Sequence, residues 1–195
     1  MLEEHLKRVF ALCFVVFLTS CQTVEKTNIL YFKGYFNVEQ AQNKQSYPVE
    51  IYTDSTRPVL LINLLTPFGG VFATYLWDSR THQILLPSRK QYFKQPKWPS
   101  NFPFQGIIQN PLWFYQALLQ QTPDGWNCEE TKKCSKNSSI IEWEKKFFRK
   151  NQIRIRLEKE GFSAKIREYK SPSRFSWDIE IPKDFQQIDK MDFTQ

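Results

Sequence analysis

Few side chains in this sequence suit covalent or metal chemistry: four cysteines and two histidines among 195 residues. A histidine base or a thiolate nucleophile needs a partner within hydrogen-bond reach. His82 is the only histidine after residue 20, and no nucleophile or acid motif surrounds it. Cys128 and Cys134 stand close together in CEETKKC. In an oxidising compartment two such thiols read as a disulfide, and a loop this short stabilises by about 2 kcal/mol in the chain-entropy account. A metal site is the other reading, but two thiolates need further ligands. Glu142 and Glu144 would share one face of a strand as paired acids do, yet Lys145 and Lys146 beside them mark a solvated face. Glycines number only 6, and no phosphate-cradling loop is present. The expectation is a protein that is not an enzyme, with no catalytic residue, no metal and no cofactor.

Cys21 carries the clearest chemical signal. Lys7 and Arg8 precede an almost wholly apolar run at 9–18 (VFALCFVVFL). That run falls short of the about 20 residues a spanning helix needs, and fits the roughly 7 to 15 of a signal-peptide core. It ends in Leu18-Thr19-Ser20-Cys21, which resembles the lipobox of bacterial lipoproteins. A small Ser20 fits beside the scissile bond, and the Cys21 thiol is the group that takes a diacylglyceryl chain pair. The resemblance implies cleavage before Cys21, lipid on its sulfur and a further acyl chain, such as palmitate, on the new N-terminus. One chain binds a bilayer marginally, at about 0.8 kcal/mol per buried CH2, whereas two or three hold firmly. Gln22 follows the lipidated position, which favours outer-membrane sorting over inner-membrane retention. Residues 1–20 therefore read as a lipoprotein signal peptide and 21–28 as a lipidated tether.

The remaining chain of about 175 residues is enough for one domain with its own core. Its net charge is +7. Either the charge serves solubility or it addresses anionic neighbours such as lipid headgroups. Basic residues are scattered without a nucleic-acid motif, so no nucleic-acid partner is expected.

The elements follow from periodicity. Alternating or apolar runs at 30–39, 47–54, 59–65, 71–78, 83–86, 91–94, 153–157, 162–167 and 175–181 predict strands. Gly34 marks a bulge or bend in the first. The run 59–65 (VLLINLL) is apolar on both sides, which predicts a central strand covered twice. Thr66-Pro67-Phe68-Gly69-Gly70 predicts the turn between two of these strands. Residues 97–103 form a proline-rich connector. Asn110 is placed to cap a helix with Pro111 at its first position, and Leu112, Tyr115 and Leu119 follow at helical spacing. The predicted fold is α+β: a single curved antiparallel sheet with one or two helices over its concave apolar face. Aromatic residues make up 16% of the chain, which admits a filled core or an apolar cavity alike.

Lys33-Gly34-Tyr35-Phe36, Leu64-Leu65-Thr66-Pro67-Phe68-Gly69 and Asn110-Pro111-Leu112 through Leu119, closed by Thr122-Pro123, occur in that order. Together with the lipobox they resemble the LolB family of outer-membrane lipoprotein receptors, over residues 29–185. The resemblance implies a half-open β-barrel whose hydrophobic cavity accepts the acyl chains of other lipoproteins from a periplasmic LolA-like carrier. The cargo then enters the outer membrane with no bond made or broken. It implies a lipid-anchored, periplasm-facing monomer whose partners are acylated lipoproteins, that carrier and membrane lipid. Pro67, Phe68 and Gly69 would form the membrane-insertion turn, with Phe68 in the family's wedge position; the other reading folds Phe68 into the core. Leu60, Ile62, Leu64, Val71, Tyr75, Trp77, Trp113 and Trp177 would line the acyl cavity, with Trp143 a further candidate; plain core packing is the other reading for each. The family's helix before the first strand has no counterpart here, and residues 186–195 read as a tail. A second function class is an envelope lipoprotein with a filled core that binds a protein.

Overall fold

The computed structural model describes residues 28–40, 43–96, 107, 110–129, 132–146, 149–172, 175–177 and 179–189. The lipobox, Cys21 and the proline-rich connector lie outside the described residues.

Twelve strands form one sheet: β1 (Ile29–Gln40), β2 (Asn43–Asp54), β3 (Leu60–Leu65), β4 (Val71–Trp77), β5 (His82–Leu86), β6 (Gln91–Gln95), β7 (Asn127–Glu129), β8 (Lys133–Lys136), β9 (Ser139–Lys146), β10 (Arg149–Leu157), β11 (Phe162–Tyr169) and β12 (Gln186–Gln187). Their order is β12-β6-β5-β4-β3-β2-β1-β11-β10-β9-β8-β7, and the sheet does not close on itself. Each hairpin pairs with its chain neighbour, and β1 joins the two halves by pairing with both β2 and β11. Every pair is antiparallel except β12 with β6, which is parallel and lies partly in the stretch read as a tail.

Alternation along the strands sorts the side chains. Phe32, Phe36, Ile51, Leu60, Ile62, Tyr75, Ile84, Phe93, Ile141, Ile153, Ile155 and Ile166 belong to one buried cluster on the inner face. Over that face lies the helix α1 (Pro111–Leu118). A helix of 8 residues is marginal alone; burial of Trp113, Phe114, Tyr115, Ala117 and Leu118 supports it. Two hydrogen bonds fix its position: the Trp143 indole N–H donates to the Ala117 carbonyl at 2.8 Å, and the Tyr115 hydroxyl donates to the Asp54 carbonyl at 3.1 Å. Pro111 occupies the first turn as expected, but the Asn110 side chain makes no capping hydrogen bond.

Three expectations about elements are corrected. The described residues within 175–181 form no strand. Instead the chain leaves β11, the Ser171 hydroxyl donates to the Ile29 carbonyl, and Phe175 stacks on Tyr52, an outer-face residue, at 4.5 Å. From there the segment reaches the far edge, where Gln186 N–H donates to the Lys90 carbonyl at 2.8 Å and Ile188 N–H to the Tyr92 carbonyl at 2.9 Å. The C-terminal part is thus a strap across the outer face. Second, β7, β8 and β9 add a meander that the periodic reading left out. Third, the sheet is mixed rather than wholly antiparallel. The disulfide between Cys128 and Cys134 is present and links directly opposed positions of β7 and β8.

Candidate functional site

The turn between β3 and β4 is held by its own backbone. Thr66 N–H donates to the Gly70 carbonyl at 2.7 Å, and Gly69 N–H donates to the Thr66 carbonyl at 2.9 Å. Gly70 N–H also donates to the Thr66 hydroxyl at 3.1 Å. Pro67 presets the first corner, and Gly69 takes the left-handed conformation (φ 86°) that a short hairpin loop asks of glycine. Between them Phe68 projects outward, 99% exposed. It does not fold back into the core. A phenyl ring in water forgoes roughly 2–3 kcal/mol of burial, and nothing in the turn compensates. Phe72 and Val71 continue the apolar surface beneath it, each 42% exposed.

The exposure of Val71 corrects its expected place in the cavity lining. Pairing slips between Leu64 and Leu65: Leu64 faces Ala73, while Leu65 faces Val71. This bulge inserts Phe72 and breaks the two-residue alternation, so Val71 falls out of step with buried Ala73, Tyr75 and Trp77. Phe72 is an exposed part of the tip that the sequence reading missed; its only signal was a second aromatic close to the turn.

Leu60, Ile62, Leu64, Tyr75, Trp77 and Trp113 do converge, in one cluster, none more than 7% exposed. Trp143 joins them. Phe114, read only as added bulk, is the fully buried centre of the helix contact, edge-on to Phe36 with ring centroids 6.0 Å apart. Trp177 does not belong. It lies half-buried in the C-terminal strap, edge-on to Phe175 at 4.8 Å, with the Arg57 guanidinium 5.6 Å from its ring centroid. The alternating apolar pattern around it belongs to a segment lying on the sheet, whose described residues around Trp177 carry no strand assignment.

The inner face carries a polar pair. His82 is buried, and its Nδ1 lies 3.0 Å from the Tyr75 hydroxyl. Burial pushes the His82 imidazole below its ordinary 6.5, and the Asp78 carboxylate only partly opposes this. Burial also pushes the Tyr75 phenol up, so it stays protonated. A histidine whose folded-state value is depressed binds fewer protons folded than unfolded just below pH 6.5, so stability falls as pH falls through that window. The urea midpoint is expected to drop between about pH 7 and pH 5, and the drop to shrink in His82→Gln. An equal drop in both proteins refutes this. Asp78 and Glu50 contribute at lower pH. For each, burial acts to raise the carboxyl, but hydrogen bonds outweigh it and hold the group below its ordinary range: from the Thr81 and Arg80 backbone to Asp78, and from Lys33 and Tyr31 to Glu50.

Among the described residues no group of three or more His, Cys, Asp or Glu side chains is placed to hold a metal ion. Glu142 and Glu144 do share one outer strand face, but both meet cations: Glu144 with Arg154 at 2.9 Å and Glu142 with Lys133 at 3.9 Å. No described helix is long and apolar enough to cross a membrane. Compared with protein-family models and with curated proteins, the chain matches none.

Proposed function

We propose that this protein is a lipid-anchored envelope protein that handles acyl chains. It is a LolB-like receptor that takes acylated lipoproteins from a periplasmic carrier and inserts them into the outer membrane. The observation that carries the reading is Phe68, 99% exposed at the tip of a self-braced hairpin. One phenyl ring supplies roughly 2–3 kcal/mol on burial, too little to anchor a protein but enough to disturb lipid where cargo enters. The unclosed sheet would act as the half-open barrel, with α1 as its cover. Leu60, Ile62, Leu64, Tyr75, Trp77 and Trp113 would meet the acyl chain once the cover moves. Cys21 holds the protein at the membrane through its own acyl chains.

The test is transfer. A soluble form lacking Cys21, with and without Phe68→Glu, is mixed with carrier loaded with acylated lipoprotein and then with liposomes. The expected result is uptake by both forms and delivery by the parent alone, with delivery at least tenfold slower in Phe68→Glu. Urea unfolding of the two forms should agree within about 0.5 kcal/mol, as for a surface change. If the parent takes up no acylated cargo, the receptor reading fails.

A second reading is favoured by the near-complete burial of the six clustered positions. In it the inner face is a finished core, and the exposed tip of Phe68, Val71 and Phe72 binds an envelope protein. Absent acyl uptake, with a tip-dependent protein complex, is the result that selects it.

A further inference from the structure

We infer that the outer face of β9, β10, β11 and β1 holds a binding groove for a phosphate ester. The groove has a volume of about 260 Å³ and is lined by Arg154, Arg156, Lys165, Ser163, Asn37 and Glu142, over a floor that includes Ile140. Strand register builds it. Arg154 lies opposite Lys165 and Glu142, and Arg156 opposite Ser163, which itself faces Asn37. Outward-facing positions of four adjacent strands therefore converge on one hollow.

The charges in it are not balanced. Arg154 is held by Glu144, and Glu142 faces Lys133. Arg156 and Lys165 are exposed, and no ion pair engages either among the described residues. They sit on a cross-strand diagonal, about 7–8 Å apart at their backbones, so one anion can lie between them. Neutral donors stand beside the pair. The Asn37 amide donates to the Ser163 hydroxyl oxygen at 3.4 Å, which leaves the Ser163 proton to point elsewhere. An arginine fork, an ammonium and a hydroxyl match the three acceptor oxygens and near-double charge of a phosphate monoester. The volume holds several water molecules at about 30 Å³ each, so there is room for the organic part of an ester. Glu142 is placed to accept a hydrogen bond from hydroxyls of that part. A phospholipid headgroup and a small soluble ester present the same chemistry.

The test uses the full chain in neutral detergent micelles and follows the backbone amide signals of Asn37 and Ser163. One titration adds glycerol 3-phosphate; the other dopes the micelles with a short-chain phosphatidic acid. Three proteins are compared: the parent, Arg156→Gln with Lys165→Gln, and Lys94→Gln with Lys159→Gln, which loses the same charge elsewhere. The expected result is a saturable shift in the parent and in the charge control, weakened at least tenfold in the groove variant. A response to the soluble ester alone assigns a soluble ligand, a response to doped micelles alone assigns a headgroup, and either supports the groove. No shift at these amides with both probes overturns it, as does a shift the groove variant retains. The side chains changed are exposed, and an otherwise unaltered spectrum verifies the fold of each variant.

Discussion

Replacing Gly34 with alanine is expected to lower the unfolding free energy by about 3 kcal/mol or more, read as a fall in the urea midpoint at unchanged slope. Gly34 lies in β1 opposite Val49 on one side and Ile166 on the other. A Cβ built there would fall far inside contact distance of the Lys165 carbonyl oxygen and 2.8 Å from the Ile166 Cα. Both obstacles are backbone, so no side chain can rotate aside. The β1 and β11 strands would have to part, and theirs is the one strand pair that joins the two halves of the sheet. Gly70→Ala is the matched control, since its added Cβ meets only the Thr66 hydroxyl at 3.4 Å. It should change stability by no more than about 0.5 kcal/mol. A Gly34→Ala protein with the parent's midpoint would refute the close approach of β1 and β11.

Phe114→Ala is expected to cost about 3–5 kcal/mol, the range for truncating a buried phenylalanine. Phe114 is wholly buried and sits edge-on to both Phe36 and Trp113. It is the contact through which α1 meets the sheet centre, and a helix this short does not persist without such contacts. The same variant separates the two functional readings. If the inner face receives acyl chains, the space left under α1 should admit a fatty-acid probe more tightly than the parent does. If the inner face is a finished core, the protein should lose stability without gaining probe binding. A Phe114→Ala midpoint within 0.5 kcal/mol of the parent, by the same urea measurement, would show that α1 does not hold the core.

Local patterns in the sequence track the fold well where one face is wet and the other dry. β10 and β11 follow the alternation of Ile153, Ile155 and Leu157 and of Phe162, Ala164 and Ile166. β3 reads correctly as central, between β2 and β4. The Pro67 and Gly69 turn and the Pro111 helix start follow from single-residue backbone preferences. The misses share a cause. Alternation reports which side of an extended chain is covered, not what it is hydrogen-bonded to. Phe175 and Trp177 therefore imitated a strand while belonging to the strap. In β9 the pattern of Ile141 and Trp143 against Glu142 and Glu144 is clear in hindsight, but adjacent Ile140 and Ile141 blur its start. β7 and β8, of 3 and 4 residues, are too short to carry a period. The pairing of Gln186 with Gln91 joins residues far apart in sequence and leaves no local mark.

For the candidate site, the burial of six of the eight residues expected to line a cavity could be read, because burial on a central strand or helix is a local property. Val71 could not, because one inserted residue reverses the parity of what precedes it. The exposure of Phe68 was open between two readings, and the hydrogen bonds of the turn decide it. The groove around Arg156 and Lys165 read as an ordinary wet face, since its convergence depends on the registers of four strands at once.

The place of β1 between β2 and β11 also has a kinetic meaning. Tyr31 pairs with Tyr169 and Tyr92 bonds to Gln187, so both edges of the β1–β6 half are completed by β11 and β12, much later in the chain. Contacts so distant in sequence are slow to form, in the millisecond-to-second range for sheet proteins. A chain emerging from its N-terminus holds β1 to β6 with both sheet edges unpaired until β11 and the strap arrive. Such edges are where strands from other copies add. The interval before β11 and the strap pair is therefore the period in which these edges are most open to strands of other copies.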